Sequence, residues 1–342
     1  IQYIEYIGAD YSAAVVDGKI VSEAEYGEMQ EFSSLIAEEV ATAPEALQQQ
    51  SAQLKQLIAD KAAEKDIQAL TALMRQSVIA AMPSIPLPKQ SPDLKRGEAL
   101  FATNCAACHG ATAMGDGAAG AQMDPAPTNF HEVERYQARS AYGLFNTITL
   151  GVADTGMASF AHLDEQSRWD LAFYVGHIAG KGLDTSKVPE AMIESGAVKD
   201  LLTATPKDVI KLYPDFGAEL MSLFRSQPER FFQAQSKDPL VIAQLKLQLS
   251  ADLYSQNPQA AYDQAVSAYL DGFELVENPL GTVNVELRDQ IEHAMMGLRQ
   301  LLKDPAQKDV VAPRIAEIQS LLKQAQACLL YTSPSPRDRT RS

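Results

Sequence analysis

Cysteine is scarce in this chain, with three residues in 342, and that excludes a disulfide framework of the kind small secreted domains rely on. Positive charge is also in short supply: 29 Lys and Arg stand against 44 Asp and Glu, a formal net charge of −15. That balance argues against nucleic acid and for cationic partners or metal ions. Although 46% of the residues are hydrophobic, no run approaches the roughly 18 apolar residues that mark a membrane-spanning helix. Strand-like alternation is nowhere persuasive, and no tandem repeat of fixed period is visible. The length predicts about two or three domains.

What is present is helical patterning. IQYIEYIGADYSAAV reads as a short amphipathic helix ending at the turn DGK, and Ser22 with Glu25 forms a capping-box pattern for the helix that follows. Pro44 opens a helix with Leu47, Leu54, Leu57 and Ile58 on one face, and DIQALTALMRQSVIAAM supplies another. Residues 83–92, PSIPLPKQSP, carry four prolines in ten positions and predict a stiff linker. From 181 to 327 helical segments resume, each bounded by Pro, Asn or Asp. The expected fold is all-α: an N-terminal helical segment (1–82), the linker, a central domain (93–180) and a C-terminal helical bundle (181–327). The last segment, CLLYTSPSPRDRTRS (328–342), resembles translated library-adapter sequence and is expected to lie outside the native protein, taking Cys328 with it.

The central domain contains NCAACHG, in which Cys105 and Cys108 are followed at once by His109. Two thiols at this spacing can each add to a haem vinyl group while the adjacent imidazole reaches the iron, so the motif predicts covalently bound haem c. Two cysteines spent in this way leave no four-ligand zinc site. A thioredoxin-like redox reading needs a βαβ context that is missing. For the sixth iron position the candidates are Met114, Met123, Met157, His131, His162 and His177. Met157 is preferred, because 48 residues separate it from His109 and Gly156 allows a tight path beside a flat cofactor. Met114 has at most about 17 Å of extended chain in which to round the ring.

With these residues in view, residues 92–180 resemble a class I cytochrome c domain. The resemblance implies an N-terminal helix, with Gly97 and Phe101, crossing a C-terminal helix that carries Trp169 and Tyr174. It also implies that a loop proline, Pro127 or Pro125, orients the His109 imidazole through its carbonyl.

A second resemblance spans most of the chain. YIGADYSAAVVDGKIVSEAEYGEMQEF and SAYLDGFELVE are similar to the periplasmic part of bacterial proteins in which a cytochrome c is fused to a high-affinity iron permease. It implies a periplasmic location at the inner membrane, a redox partner protein, a permease domain following residue 327, and ferrous or ferric iron as cargo. Glu25, Glu28, Glu274 and Glu277 are candidate ligands for non-haem iron, since helical spacing of three brings carboxylates together and hard oxygens suit ferric iron. An ordinary solvated acidic face is the competing reading. No catalytic residue is expected. The alternative function is a stand-alone electron carrier for a respiratory oxidase or dehydrogenase, with the helices as docking scaffold. A haem peroxidase would need an open sixth position, against which Met157 argues.

Overall fold

The structure is a computed structural model that describes residues 1–82, 85–153, 155–195, 197–234, 238–255, 257–304 and 307–332. Pro83 and Ser84 of the linker, and residues 333–342 of the adapter-like segment, lie outside the described residues. The fold is all-α. The strands among the described residues are Val15–Val16 (β1) and Lys19–Ile20 (β2), paired antiparallel with Val16 opposite Lys19. Asp17 and Gly18 between them both have positive φ, +49° and +73°, so the DG turn closes a two-residue hairpin rather than a plain loop.

The described chain forms two compact units, 1–185 with 198–229, and 186–197 with 230–342. They cut the chain differently from the segments read off the sequence, because residues 1–82 and 198–229 belong with the central domain. In the first unit, α1 (Gln2–Ala14), α2 (Glu23–Glu39), α3 (Glu45–Ala59) and α4 (Glu64–Ala81) share one core. Ile7, Tyr11, Phe32, Leu54, Ile67 and Met74 are among its fully enclosed members. Ser22 caps α2 by accepting from the Glu25 amide at 3.3 Å, half of the expected capping box.

After the linker come α5 (Leu94–Asn104), α6 (Ala106–His109), α7 (Val133–Ala138), α8 (Ala141–Leu150) and α9 (Glu165–His177). Asp93 starts α5 by accepting from the Lys95 amide at 2.9 Å and the Arg96 amide at 3.1 Å, and Asp164 starts α9 by accepting from the Ser167 amide at 2.9 Å. The two helices cross at Gly97, where a β-carbon would run into the carbonyl oxygen of Asp170 and the Cβ of Tyr174. Phe101 packs on Tyr174 with ring centroids 5.4 Å apart. Trp169 instead turns toward α8 and stacks on Phe145 at 4.1 Å.

Gly97→Ala puts two effects in opposition. Helix propensity favours Ala by about 1 kcal/mol, whereas overpacking a close backbone contact costs about 1–3 kcal/mol. The geometry predicts that overpacking wins and the melting temperature falls by several degrees. Thermal unfolding followed by circular dichroism checks this, and a stabilised variant would mean the helices do not cross at Gly97.

The chain then enters the second unit for α10 (Glu190–Glu194) and returns to the first for α11 (Val198–Thr203), α12 (Pro206–Leu212) and α13 (Gly217–Ser226). A capping box between Thr205 and Asp208 starts α12. Beyond α14 (Pro228–Ala234), the second unit holds α15 (Pro239–Leu253), α16 (Pro258–Ala268), α17 (Glu274–Val283), α18 (Val285–Leu301) and α19 (Lys308–Thr332). A π-helical turn, Tyr269–Phe273, joins α16 to α17. Within it Asp271 pairs with the buried Lys246 of α15 at 2.7 Å. Among the described residues no helix is long and apolar enough to cross a membrane.

Candidate functional site

Cys105 closes α5, its amide donating to the Phe101 carbonyl at 2.8 Å, and the short helix α6 follows directly. Cys105, Cys108 and His109 stand at i, i+3 and i+4 on one helical turn, so all three fall on the same face. The turn ends at Gly110, whose φ of +81° and abutment on the Asp116 carboxylate admit no side chain. His109 Nδ1 lies 3.1 Å from the Thr128 carbonyl oxygen. With Nδ1–H donating there, Nε2 keeps its lone pair for a metal. Burial holds the His109 pKa below its ordinary value, which favours the neutral, ligating form. Burial, with Cys108 adding, pushes the Cys105 thiol up to about 11.

The loop after α8 supplies the other thioether. Gly151, at φ +74°, turns the chain, and Met157 is pinned through its backbone: its amide donates to Thr155 Oγ1 at 3.1 Å and its carbonyl accepts from the Val152 amide at 3.0 Å. Cys105, Cys108, His109 and Met157 line one cavity of about 300 Å³, closed by apolar side chains such as Phe130, Ile148 and Leu171.

Met123 also lines this cavity, with its sulfur against Gly156, so two methionines border the site. Met114 is exposed and lies outside it. The histidine alternatives are likewise outside the cavity lining. His131 and His162 are exposed, and Nδ1 of the half-buried His177 faces the Tyr174 carbonyl at 2.5 Å.

The proline expectation needs correction. Pro125 and Pro127 both line the cavity, but the carbonyl that meets His109 belongs to Thr128. The Pro127 carbonyl is turned toward Gly115, which leaves the next carbonyl along the chain for the imidazole.

The four glutamates divide between the units, Glu25 and Glu28 on α2 and Glu274 and Glu277 on α17. Glu28 accepts from Tyr6 Oη at 2.7 Å and Glu277 from Tyr269 Oη at 3.0 Å. Among the described residues no group of three or more His, Cys, Asp and Glu side chains is arranged to hold a metal ion. Burial, then the charges of Glu28, Asp10 and Asp124, push the Glu25 carboxyl above its usual range against the pull of Arg135. Folded Glu25 therefore holds its proton more tightly than unfolded Glu25, a contribution to stability present at low pH and lost as pH rises through the raised value. Glu25→Gln is expected to match the wild type near pH 3 and to exceed it in stability near pH 7. Urea unfolding at both pH values checks this, and an equal difference at the two would contradict it.

Residues 94–179 match the cytochrome c family, so the chain carries a cytochrome c domain, a class defined by covalently bound haem c and electron transfer. Neither the curated proteins nor the solved structures contain a match to the chain. The residues present fit that cofactor: two thiols on one helical face, a neutral imidazole held by a carbonyl, methionine sulfur and an apolar enclosure.

The cavity also uses residues that sequence reasoning missed. Gln2, Tyr3 and Tyr6 of α1, Tyr136 of α7 and Arg225 of α13 all line it. Gln2 Nε2 donates to the Gly151 carbonyl at 2.6 Å, tying α1 to the turn before the methionine loop. The one signal that could have revealed Arg225 is its position as a charge inside the apolar stretch LMSLFRS.

Proposed function

We propose that the chain is an electron-transfer module in which Cys105 and Cys108 carry haem c, His109 and Met157 ligate its iron, and the redox chemistry serves ferrous-iron uptake through a membrane permease. The convergence of both cysteines, His109 and Met157 on one cavity carries the electron-transfer part. When bound, haem c supplies a one-electron couple, which His/Met ligation shifts to higher potential. Around it the protein orients His109 through Thr128, fixes the Met157 backbone through Thr155 and Val152, and excludes water with apolar walls.

The iron part of the proposal rests on the similarity of YIGADYSAAVVDGKIVSEAEYGEMQEF and SAYLDGFELVE to the periplasmic part of permease fusions. In that reading the protein works at the periplasmic face of the bacterial inner membrane beside a redox partner, and iron is its cargo. Ferrous iron mixed with the oxidised full chain is expected to produce the reduced optical spectrum. Failure of ferrous iron to do so, with rapid reduction by a respiratory donor, would favour the respiratory alternative.

A further inference from the structure

Thr128 meets His109 with its carbonyl, and its side chain is held separately. The Thr128 hydroxyl oxygen accepts from Arg135 Nη1 at 2.7 Å, while the carbonyl oxygen lies 3.1 Å from His109 Nδ1. Arg135 is anchored in turn by Asp10 of α1, with Nη2 2.9 Å from Oδ1. The other oxygen of Asp10, Oδ2, accepts from Arg139 Nη2 at 3.3 Å, so one carboxylate ties two arginines together. Asp10 lies outside the cytochrome c match, which begins at residue 94.

The buried end of this chain of contacts is Asp10, whose side chain is 3% exposed against 25% for Arg135 and 14% for Arg139. A carboxylate so enclosed is costly unless its oxygens are met, which fixes the arginines that meet it. Arg135 has a second acidic neighbour in Glu132, but that side chain is 52% exposed and 3.6 Å from Nε, a surface pair of small worth. A guanidinium is planar and presents its donors in a rigid fork. Holding Nη2 on Asp10 therefore also sets Nη1 on Thr128.

We propose that Asp10, acting through Arg135 and Thr128, sets the hydrogen bond on the His109 imidazole, so that a helix outside the cytochrome c domain tunes the iron's proximal ligand; this rests on the haem reading of the cavity. Asp10 and Arg135 are positioning residues. A well-aimed acceptor on Nδ1–H makes the imidazole a more basic ligand, and a more basic ligand favours ferric iron. Loosening the contacts at Asp10 weakens that acceptor and also removes a buried negative charge. Both effects favour the ferrous state.

The test uses the full chain loaded with haem, comparing wild type with Asp10→Asn, Thr128→Val, Arg135→Lys and the Asp10→Asn/Thr128→Val double variant. Redox titration gives the potential, and NMR of the reduced protein gives the solvent exchange rate of the His109 Nδ1 proton. Asp10→Asn is expected to favour the ferrous state about threefold, equivalent to ~28 mV at 59 mV per tenfold. Thr128→Val, which removes the hydroxyl and keeps the carbonyl, and Arg135→Lys, which keeps the charge and loses the fork, are expected to shift the potential the same way. Proton exchange should quicken several-fold in all three. In the double variant the two shifts should sum to less than their separate values, because the residues act through one chain of contacts. Unchanged exchange in the single variants would overturn the proposal. So would an Asp10→Asn shift of full size in the Thr128→Val background, which would leave only the charge of Asp10. If Asp10→Asn does not fold, Thr128→Val and Arg135→Lys decide by the same exchange rate. Absence of attached haem in the wild type would instead overturn the haem reading itself.

Discussion

Met157→Ala is expected to abolish the sulfur-to-iron charge-transfer band of the ferric protein while leaving the haem covalently attached. The potential should fall on the order of 0.2 V, a fraction of the ≈ 0.8 V range that axial ligands span. The attachment chemistry resides in Cys105 and Cys108, at the turn that α6 forms, whereas Met157 sits in a loop whose backbone is held by Thr155 and Val152 whatever side chain it carries. Met123 provides the internal control, since its sulfur borders the same cavity. Met123→Ala should leave the band in place. The opposite pattern, loss of the band in Met123→Ala and retention in Met157→Ala, would transfer the ligand role to Met123.

Replacing both Cys105 and Cys108 with Ala is expected to remove haem from the denatured chain and to leave most of the helical signal intact. Ile7, Phe32, Leu54 and Met74, enclosed in the core formed by α1 to α4, do not line the cavity, although Tyr3 and Tyr6 of α1 do. The cavity loses more. Covalently attached haem stays with the chain on unfolding, so it stabilises only through the ligation and apolar burial it gains in the folded cavity, about 4 kcal/mol, the scale of fully burying two large apolar side chains. For a unit of this size that amounts to ~10 °C in melting temperature. Calorimetry of the double variant checks the shift. A complete loss of helix would mean that the whole first unit folds around the cofactor.

How much of this was legible in the sequence varies with the reach of the interaction. The attachment turn is local: Cys105, Cys108 and His109 depend on helical spacing alone, and so does the capping of α2 by Ser22. The crossing of α5 and α9 was expected from the resemblance to class I cytochromes c, and Gly97 stands at the close approach. The carbonyl facing His109 was misread, by one residue from Pro127 and by three from Pro125, since sequence does not encode which way successive carbonyls turn in the loop that delivers Thr128. The contributions of Gln2, Tyr6, Tyr136 and Arg225 were invisible because they depend on tertiary packing between segments far apart in the chain. Even so, an arginine within LMSLFRS was a warning, because a charge does not enter an apolar helix face without partners to meet it, here the Gly176 and Arg139 carbonyls.

The most direct measurement is the mass of the denatured full chain after production in cells able to attach haem, followed by peptide mapping. The account predicts a mass increase of one haem, carried by the peptide that spans Cys105 to His109. A chain of unmodified mass, or one whose Cys105 and Cys108 are joined to each other by a disulfide, would contradict it.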